Sequence, residues 1–359
     1  MRQARAPLLA ALVLALAGAP ARANPYLGDD ITSMASWLSG QFAQGLAFNA
    51  GETLDPPKAI DGYCFQVEPS FGVGKIQFDK RHFPDMTVPE LQNGVGANLY
   101  PNATLFPNFS LALRMGLPWG GDAYVRGADA SIPPGYKISP TMTASVQTNS
   151  IGAGIRQHFF GGDLPVLTVG GHYNHVQGYT KLNGTFGVTA QGFTVNDVFN
   201  GKIAWSINSF ALTAILSQSF GRWTPFIGLG YNYTTGSVAV NLNLISSTFL
   251  VPNISGQGSD RPEVSQGREI LGVAYDRKNW SAFANGELKA LGALQYRSWI
   301  IQVGAALPFN FGRKHRTEAV EPKPVFDEDA DLPAVKPSTR PRALPSKAEK
   351  APPDMIFLR

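Results

Sequence analysis

The chain has 359 residues, 16% of them charged, with 38 glycines, 27 prolines and 11% aromatics. So little charge beside so much glycine and aromatic excludes a wholly disordered chain and a coiled coil. One cysteine, Cys64, excludes an intramolecular disulfide framework and a Cys-rich metal centre. The formal charge of +4 includes Arg2, Arg5 and Arg22, and without them the balance is +1. The charge balance therefore gives no argument for a nucleic-acid partner.

Residues 1–23 read as a Sec-type signal peptide. Arg2 and Arg5 form its positive start, Leu8 to Gly18 its apolar stretch, and Ala21-Arg22-Ala23 its cleavage site. Cleavage between Ala23 and Asn24 is expected. The apolar run is shorter than the ~20 residues a helical span needs, and no later run reaches that length. Two classes remain: a soluble secreted protein, or a β-barrel in a bacterial outer membrane.

Residues 24–61 form an amino-terminal segment whose stretch 29–47 predicts a helix. Asp29 or Asp30 serves as its cap, and Ile31, Met34, Ala35, Leu38 and Phe42 follow helical spacing. Two positions suit this helix: packed on one end of the main domain, or standing as a plug inside a barrel.

From residue 62 to 311 the period changes to two. Phe109, Leu111, Leu113 and Met115 alternate with small or polar residues, as do Ile227, Leu229, Tyr231 and Tyr233. A strand turns successive side chains to opposite faces. One face is apolar, and the other is rich in Gly, Ala, Ser and Asn, which suits a narrow barrel interior. Aromatics gather at strand ends, among them Trp119, Phe160, Phe220, Trp223 and Trp280, as in the girdles of outer-membrane barrels. Tight turns near 117–121, 161–165, 221–223 and 276–279 alternate with longer segments near 80–106, 131–143, 182–200 and 241–267. Outer-membrane barrels have short periplasmic turns and longer outer loops. That rule gives an all-β, antiparallel, up-and-down barrel of about ten strands, within a range of eight to twelve. The strands fall near 63–79, 107–117, 121–130, 144–158, 164–181, 201–220, 224–240, 268–276, 280–290 and 294–311. The phase breaks at 208–210, where a bulge would shift it.

Residues 312–359 are rich in proline and charge and predict a disordered periplasmic tail, free or tethered to the cell wall or a periplasmic partner.

The strand and turn motifs carry a resemblance. Gly45-Leu46-Ala47-Phe48-Asn49-Ala50-Gly51 follows the helix. Gly152-Ala153-Gly154-Ile155-Arg156-Gln157-His158-Phe159 precedes a Gly-Gly-Asp-Leu-Pro turn and the strand 166–173. Residues 207–212 lead into Thr224-Pro225-Phe226-Ile227-Gly228-Leu229-Gly230-Tyr231. Over roughly residues 30–311 the chain resembles an uncharacterised family of bacterial outer-membrane barrels. It is distantly similar to the FadL-type transporters, while being shorter and having fewer strands. The resemblance implies the barrel fold and, at most, uptake of hydrophobic substrates. It supplies no catalytic residues.

No metal, phosphate or nucleophile motif stands out. His172 and His175, three apart on a strand, point to opposite faces and do not share a metal. No cofactor, no metal and no catalytic residue are expected, and the reading is not an enzyme. Arg114, Arg126, Arg156, His158, Glu287 and Lys289 fall on the small, polar face and are the candidate lumen residues. Buried there they must pair, either as a network holding the barrel shut or as a polar pathway or ligand site. The expected surroundings are outer-membrane lipid, the barrel-insertion machinery, and a small or apolar ligand. Three functions follow in order: a narrow channel or transporter for small or hydrophobic molecules, a structural or surface-interaction barrel, and a soluble secreted β-sandwich.

Overall fold

The period-two segments pair, neighbour to neighbour, into one antiparallel sheet that closes on itself. The computed structural model describes residues 26–50, 58–60, 62–76, 78–79, 82–88, 91–92, 104–161, 164–190, 193–245, 253–292 and 298–309. The expected signal peptide 1–23 with its Ala23–Asn24 junction, and the tail 312–359, lie outside the described residues. One helix, α1 (Leu27–Ala50), precedes strands β1 (Phe65–Ile76), β2 (Thr104–Gly116), β3 (Gly121–Ser139), β4 (Met142–Phe159), β5 (Val166–Ala190) and β6 (Phe193–Ser217). Then come β7 (Trp223–Ile245), β8 (Ile254–Asp260), β9 (Ser265–Asp276), β10 (Ser281–Leu291) and β11 (Trp299–Phe309). Apart from β8 and β9, each strand pairs with its neighbours in sequence, and β1 pairs with β11 to close the ring. β8 and β9 both pair with β7, along 238–244 and 223–233, so they share one position in the wall. The barrel therefore has ten strand positions. A single closed sheet replaces the soluble two-sheet sandwich among the alternatives.

Three segments expected as loops are largely strand. Residues 131–143 continue β3 and β4 to a turn at 140–141, and 182–200 continue β5 and β6 until Ala190 pairs with Phe193. Residues 241–267 hold the end of β7, all of β8 and the start of β9. The reason is an inversion of faces. On β4, outward Ile151 is 66% exposed, yet nearer the hairpin tip inward Val146 is 4% exposed. On β6, Phe210, Leu212 and Leu216 face outward, whereas further toward its hairpin with β5 the apolar residues Ile203, Trp205 and Ile207 face inward. The register of β5 on β6 runs without a shift through Asn208. The expected bulge at 208–210 is absent there, and the phase break marks a change of surroundings. Strands that read as outward-apolar only in part look truncated from sequence.

The surroundings change along a definable line. Outward apolar residues form a belt bounded at the short-turn end by Trp119, Phe160, Phe220 and Trp223. At the other margin it is bounded by Tyr173, Phe210, Tyr231 and Tyr233, all exposed. On β7 the belt runs from Trp223 to Tyr233. Ten residues at ~3.4 Å and a tilt of ~40° rise about 26 Å, which matches the ~25 Å apolar band of an outer-membrane barrel. β5, β6 and β7 have 25, 25 and 23 residues, against the ~10 a spanning strand needs. The surplus projects past the belt at the long-hairpin end, polar outside and apolar within.

That apolar interior is filled by α1. Leu27, Ile31, Met34, Leu38 and Phe42 pack with Ile132, Val146, Leu182, Phe199, Val240 and Leu242 of the wall in one buried cluster. The helix is therefore inside the barrel, the second of the two expected positions. It spans Leu27–Ala50 rather than 29–47, so Asp29 and Asp30 lie in its first turn instead of capping it. Glycines on β8 allow the close approach: a Cβ at Gly256 would lie 2.7 Å from the Ile31 carbonyl carbon, and one at Gly258 2.5 Å from that of Ala35.

Candidate functional site

Below the apolar core around α1, the inner face of the barrel carries two charged layers beside a small apolar cluster of Ile215, Phe226 and Ile270. The first lies near the short-turn end. Asp122 follows the turn into β3 and is fully buried. Arg114 on β2 donates from Nη2 to Asp122 Oδ2 at 2.8 Å and from Nη1 to Glu68 Oε1 at 2.9 Å. Arg156 on β4 donates from Nε to Asp122 Oδ1 at 3.0 Å, and His158 Nε2 lies 2.8 Å from Asp122 Oδ2. His158 Nδ1 sits 2.8 Å from Thr168 Oγ1. The Arg156 guanidinium also stacks over the Tyr124 ring at 5.5 Å. Register explains the gathering: Asp122 is opposite Gly116 on one side and Arg156 on the other. Arg126, buried on the same face of β3, lies opposite Ala112, which lies opposite Glu68.

The second layer grips the end of the helix. Arg268 on β9 pairs with Glu287 on β10 and donates from Nη2 to the Phe48 carbonyl at 2.6 Å, its guanidinium 4.6 Å from the Phe48 ring. Asn174 Nδ2 donates to the Ala50 carbonyl at 2.9 Å, and Gln266 Nε2 to the Gln44 carbonyl at 3.4 Å. Lys289 Nζ lies 2.5 Å from Glu263 Oε2. The last carbonyls of a helix have no partner within it, and this helix has no basic residue in its last turn. The wall supplies what the helix lacks: donors for the carbonyls, and a cation at the negative end of the dipole. Further on, Arg114 donates to the Lys58 carbonyl, and Lys58 Nζ lies 2.5 Å from Asp276. At the other end of α1, Asp30 accepts the amides of Thr87 and Val88 at 3.0 and 2.8 Å. The plug is thus tied at both ends by side chains.

All six candidate lumen residues lie on the inner face. Arg114, Arg156 and His158 meet in the first layer, where Arg126 also lies; Glu287 and Lys289 belong to the second. Sequence reasoning missed Glu68, Asp122 and Arg268. Asp122 was legible, since it shares the even-numbered face with Arg126. Arg268 was not, because β9 was expected to begin there. His172 and His175 face opposite ways, and His175 Nδ1 lies 2.9 Å from Asn208 Oδ1 on the outer surface. Among the described residues no three His, Cys, Asp or Glu side chains gather as a metal site. Cys64 is half-buried.

The space left beside the helix is small. A cavity of about 50 Å³ lies between its carboxyl end and β3–β5, lined by Leu46, Asn49, Asn108, Ser150 and Asn174. It has room for a few waters. A second, of about 20 Å³, is apolar and lined by Trp37, Phe42, Phe78, Tyr136 and Phe199. α1 occupies the lumen and leaves these two small spaces beside it.

An antiparallel sheet closed into ten positions, belted outside by lipid-facing apolar residues and holding charged layers within, is a transmembrane β-barrel of the outer-membrane kind. The chain belongs to the family of unknown function DUF6588, whose model matches residues 69–287. No curated protein matches its sequence. In fold it is similar to the translocator domain of the autotransporter NalP from Neisseria meningitidis (11% identity, TM-score 0.35, covering 77% of this chain and 99% of that one). It is also similar to the outer-membrane protease OmpT from Escherichia coli (10%, 0.34, 72% and 100%). A third is a Pseudomonas aeruginosa FadL homologue (9%, 0.25, 75% and 97%).

Proposed function

We propose that this barrel is a narrow, gated channel or transporter for small or hydrophobic molecules, and that α1 is the gate. The long-hairpin end faces out of the cell and the short turns face the periplasm. One observation carries the reading: α1 occupies the lumen without pairing into the wall, and side chains alone hold its end. Arg268, Asn174 and Gln266 form a latch of a few hydrogen bonds, each worth roughly 0.5–3 kcal/mol. Such a latch can yield on the timescale of gating, whereas a strand of the ring cannot. The apolar chamber around α1 favours apolar cargo at the outer end, and the charged layers give a polar route once the helix moves. Delivery by a signal peptide cleaved at Ala23–Asn24 and folding by the barrel-insertion machinery complete the proposal. The role is passage rather than catalysis, and residues 312–359 serve as a periplasmic tail.

The test is permeation of reconstituted vesicles by small neutral and apolar solutes. The wild type should pass them slowly. Arg268→Ala should raise the rate at least tenfold while the barrel keeps its heat-modifiable gel mobility. Equal, background permeation in both proteins would contradict the proposal. That result would favour the second reading, a structural or surface-interaction barrel, which the filled interior supports.

A further inference from the structure

Past the belt, the outer surface of the long hairpins has an unusual composition. Among the described residues, the outward positions of β4 to β8 past the belt are mostly amides and hydroxyls with Lys181 and Lys202, include an exposed Val198–Ile245 pair near the rim, and carry no Asp or Glu. An ordinary solvated surface mixes both signs of charge. Here Lys181 on β5 and Lys202 on β6 are directly opposite one another. Like charges in that relation destabilise a sheet. Both ammonium groups lie over the ring of Tyr179, at 5.6 and 5.3 Å from its centroid. The ring face attracts the cations but leaves their charge unneutralised. Tyr179 is itself fixed, its hydroxyl donating to Gln147 Oε1 at 2.7 Å. At the margin of the belt, Tyr173 donates to Asn208 Oδ1 at 2.7 Å. Below lies an open groove of about 710 Å³ on the lipid face, floored by Ala153 and Gly171 and walled by Tyr173, Phe210, Leu212 and Tyr231.

We infer that this face binds a phosphorylated glycolipid, with an acyl chain in the groove, sugars on the amide-rich surface, and a phosphate between Lys181 and Lys202. Charge complementarity selects an anion, and height selects its carrier. Lys181 stands eight residues beyond Tyr173 on β5, a rise of about 20 Å at ~3.4 Å per residue and a tilt of ~40°. The headgroup zone of a bilayer adds only about 5–8 Å on each side. A phosphoglyceride head stays below the lysines, while an anionic oligosaccharide reaches them. The inference rests on the outward orientation of the long hairpins and not on passage through the lumen.

The experiment titrates the full chain, folded in detergent micelles, with fluorescently labelled lipopolysaccharide and reads anisotropy. Binding in micelles is independent of orientation in a membrane, so it is judged apart from the transport proposal. Lys181→Gln with Lys202→Gln should weaken binding at least tenfold, with unchanged heat-modifiable mobility. Dephosphorylated lipopolysaccharide should bind the wild type as weakly as native lipopolysaccharide binds the double variant. Ala153→Phe, which fills the groove, should weaken binding with both lysines in place. Equal affinity of wild type and double variant would overturn the inference. So would full displacement by millimolar inorganic phosphate, which would mark a simple anion site rather than a glycolipid site.

Discussion

Asp122 is the carboxylate on which Arg114, Arg156 and His158 converge, and it is fully buried. Its effect follows from what its loss leaves behind. Taking a charge out of water costs several kcal/mol, and only a well-placed partner offsets it. Asp122→Asn keeps the shape but leaves two guanidinium groups facing a neutral amide. Breaking a buried pair in this way costs about 3–5 kcal/mol. The midpoint of urea unfolding in lipid should therefore fall clearly. An unchanged midpoint would mean that solvent in the lumen, rather than Asp122, neutralises the arginines. Arg268 holds a different position, since it pairs with Glu287 and also reaches the Phe48 carbonyl of the plug. Asp122 is expected to govern stability and Arg268 the state of the gate.

At the scale of elements, the inversion along β4 to β7 makes a direct prediction. Ala214 and Ser206 both face outward and are exposed on one strand, β6, and only Ala214 lies in the belt. Ala214→Arg places a charge in hydrocarbon and should cost about 2–4 kcal/mol. Ser206→Arg, eight residues nearer the hairpin tip, should change stability by no more than about 0.5 kcal/mol. Unfolding of the two variants in the same bilayer reads the difference, and equal costs would refute the placement of the belt. The same inversion explains what the sequence shows of the fold and what it hides. Strands inside the belt are legible, because apolar-out and small-in alternation has one meaning in lipid. Their continuations past the belt keep the period but reverse the meaning, so residues 131–143, 182–200 and 241–267 look like loops. The register of Asn208 settles the matter, with β5 and β6 paired straight through it. The helix is legible from its spacing, yet its place in the lumen is not, because an apolar stripe can bury itself on an end as well as inside. The site is half legible. Alternation puts the six expected residues on the inner face, but it cannot show that Arg114 and Arg156 share Asp122, which depends on cross-strand register.

At the scale of the molecule, the barrel has two interiors. The long-hairpin half is a dry core in which α1 packs as any amphipathic helix packs on a sheet. The short-turn half sets the charged layers beside an apolar cluster of Ile215, Phe226 and Ile270, and there Lys58 is held by Arg114 and Asp276. In the proposed gating, α1 leaves its place in both for the pore to open. A cross-link decides it. A Cβ on Gly40 of α1 would lie 3.0 Å from Asp260 Oδ2 at the end of β8. Gly40→Cys with Asp260→Cys therefore places two thiols across one close contact, where oxidation is to form a disulfide, verified by mass before recording, with Cys64→Ser removing the competing thiol. Single-channel conductance of this protein in a planar bilayer should be silent when oxidised, and should show discrete openings when the same membrane is treated with reductant. Openings of equal size and frequency in both states would rule out α1 as the gate, because a pore would then exist beside a fixed α1.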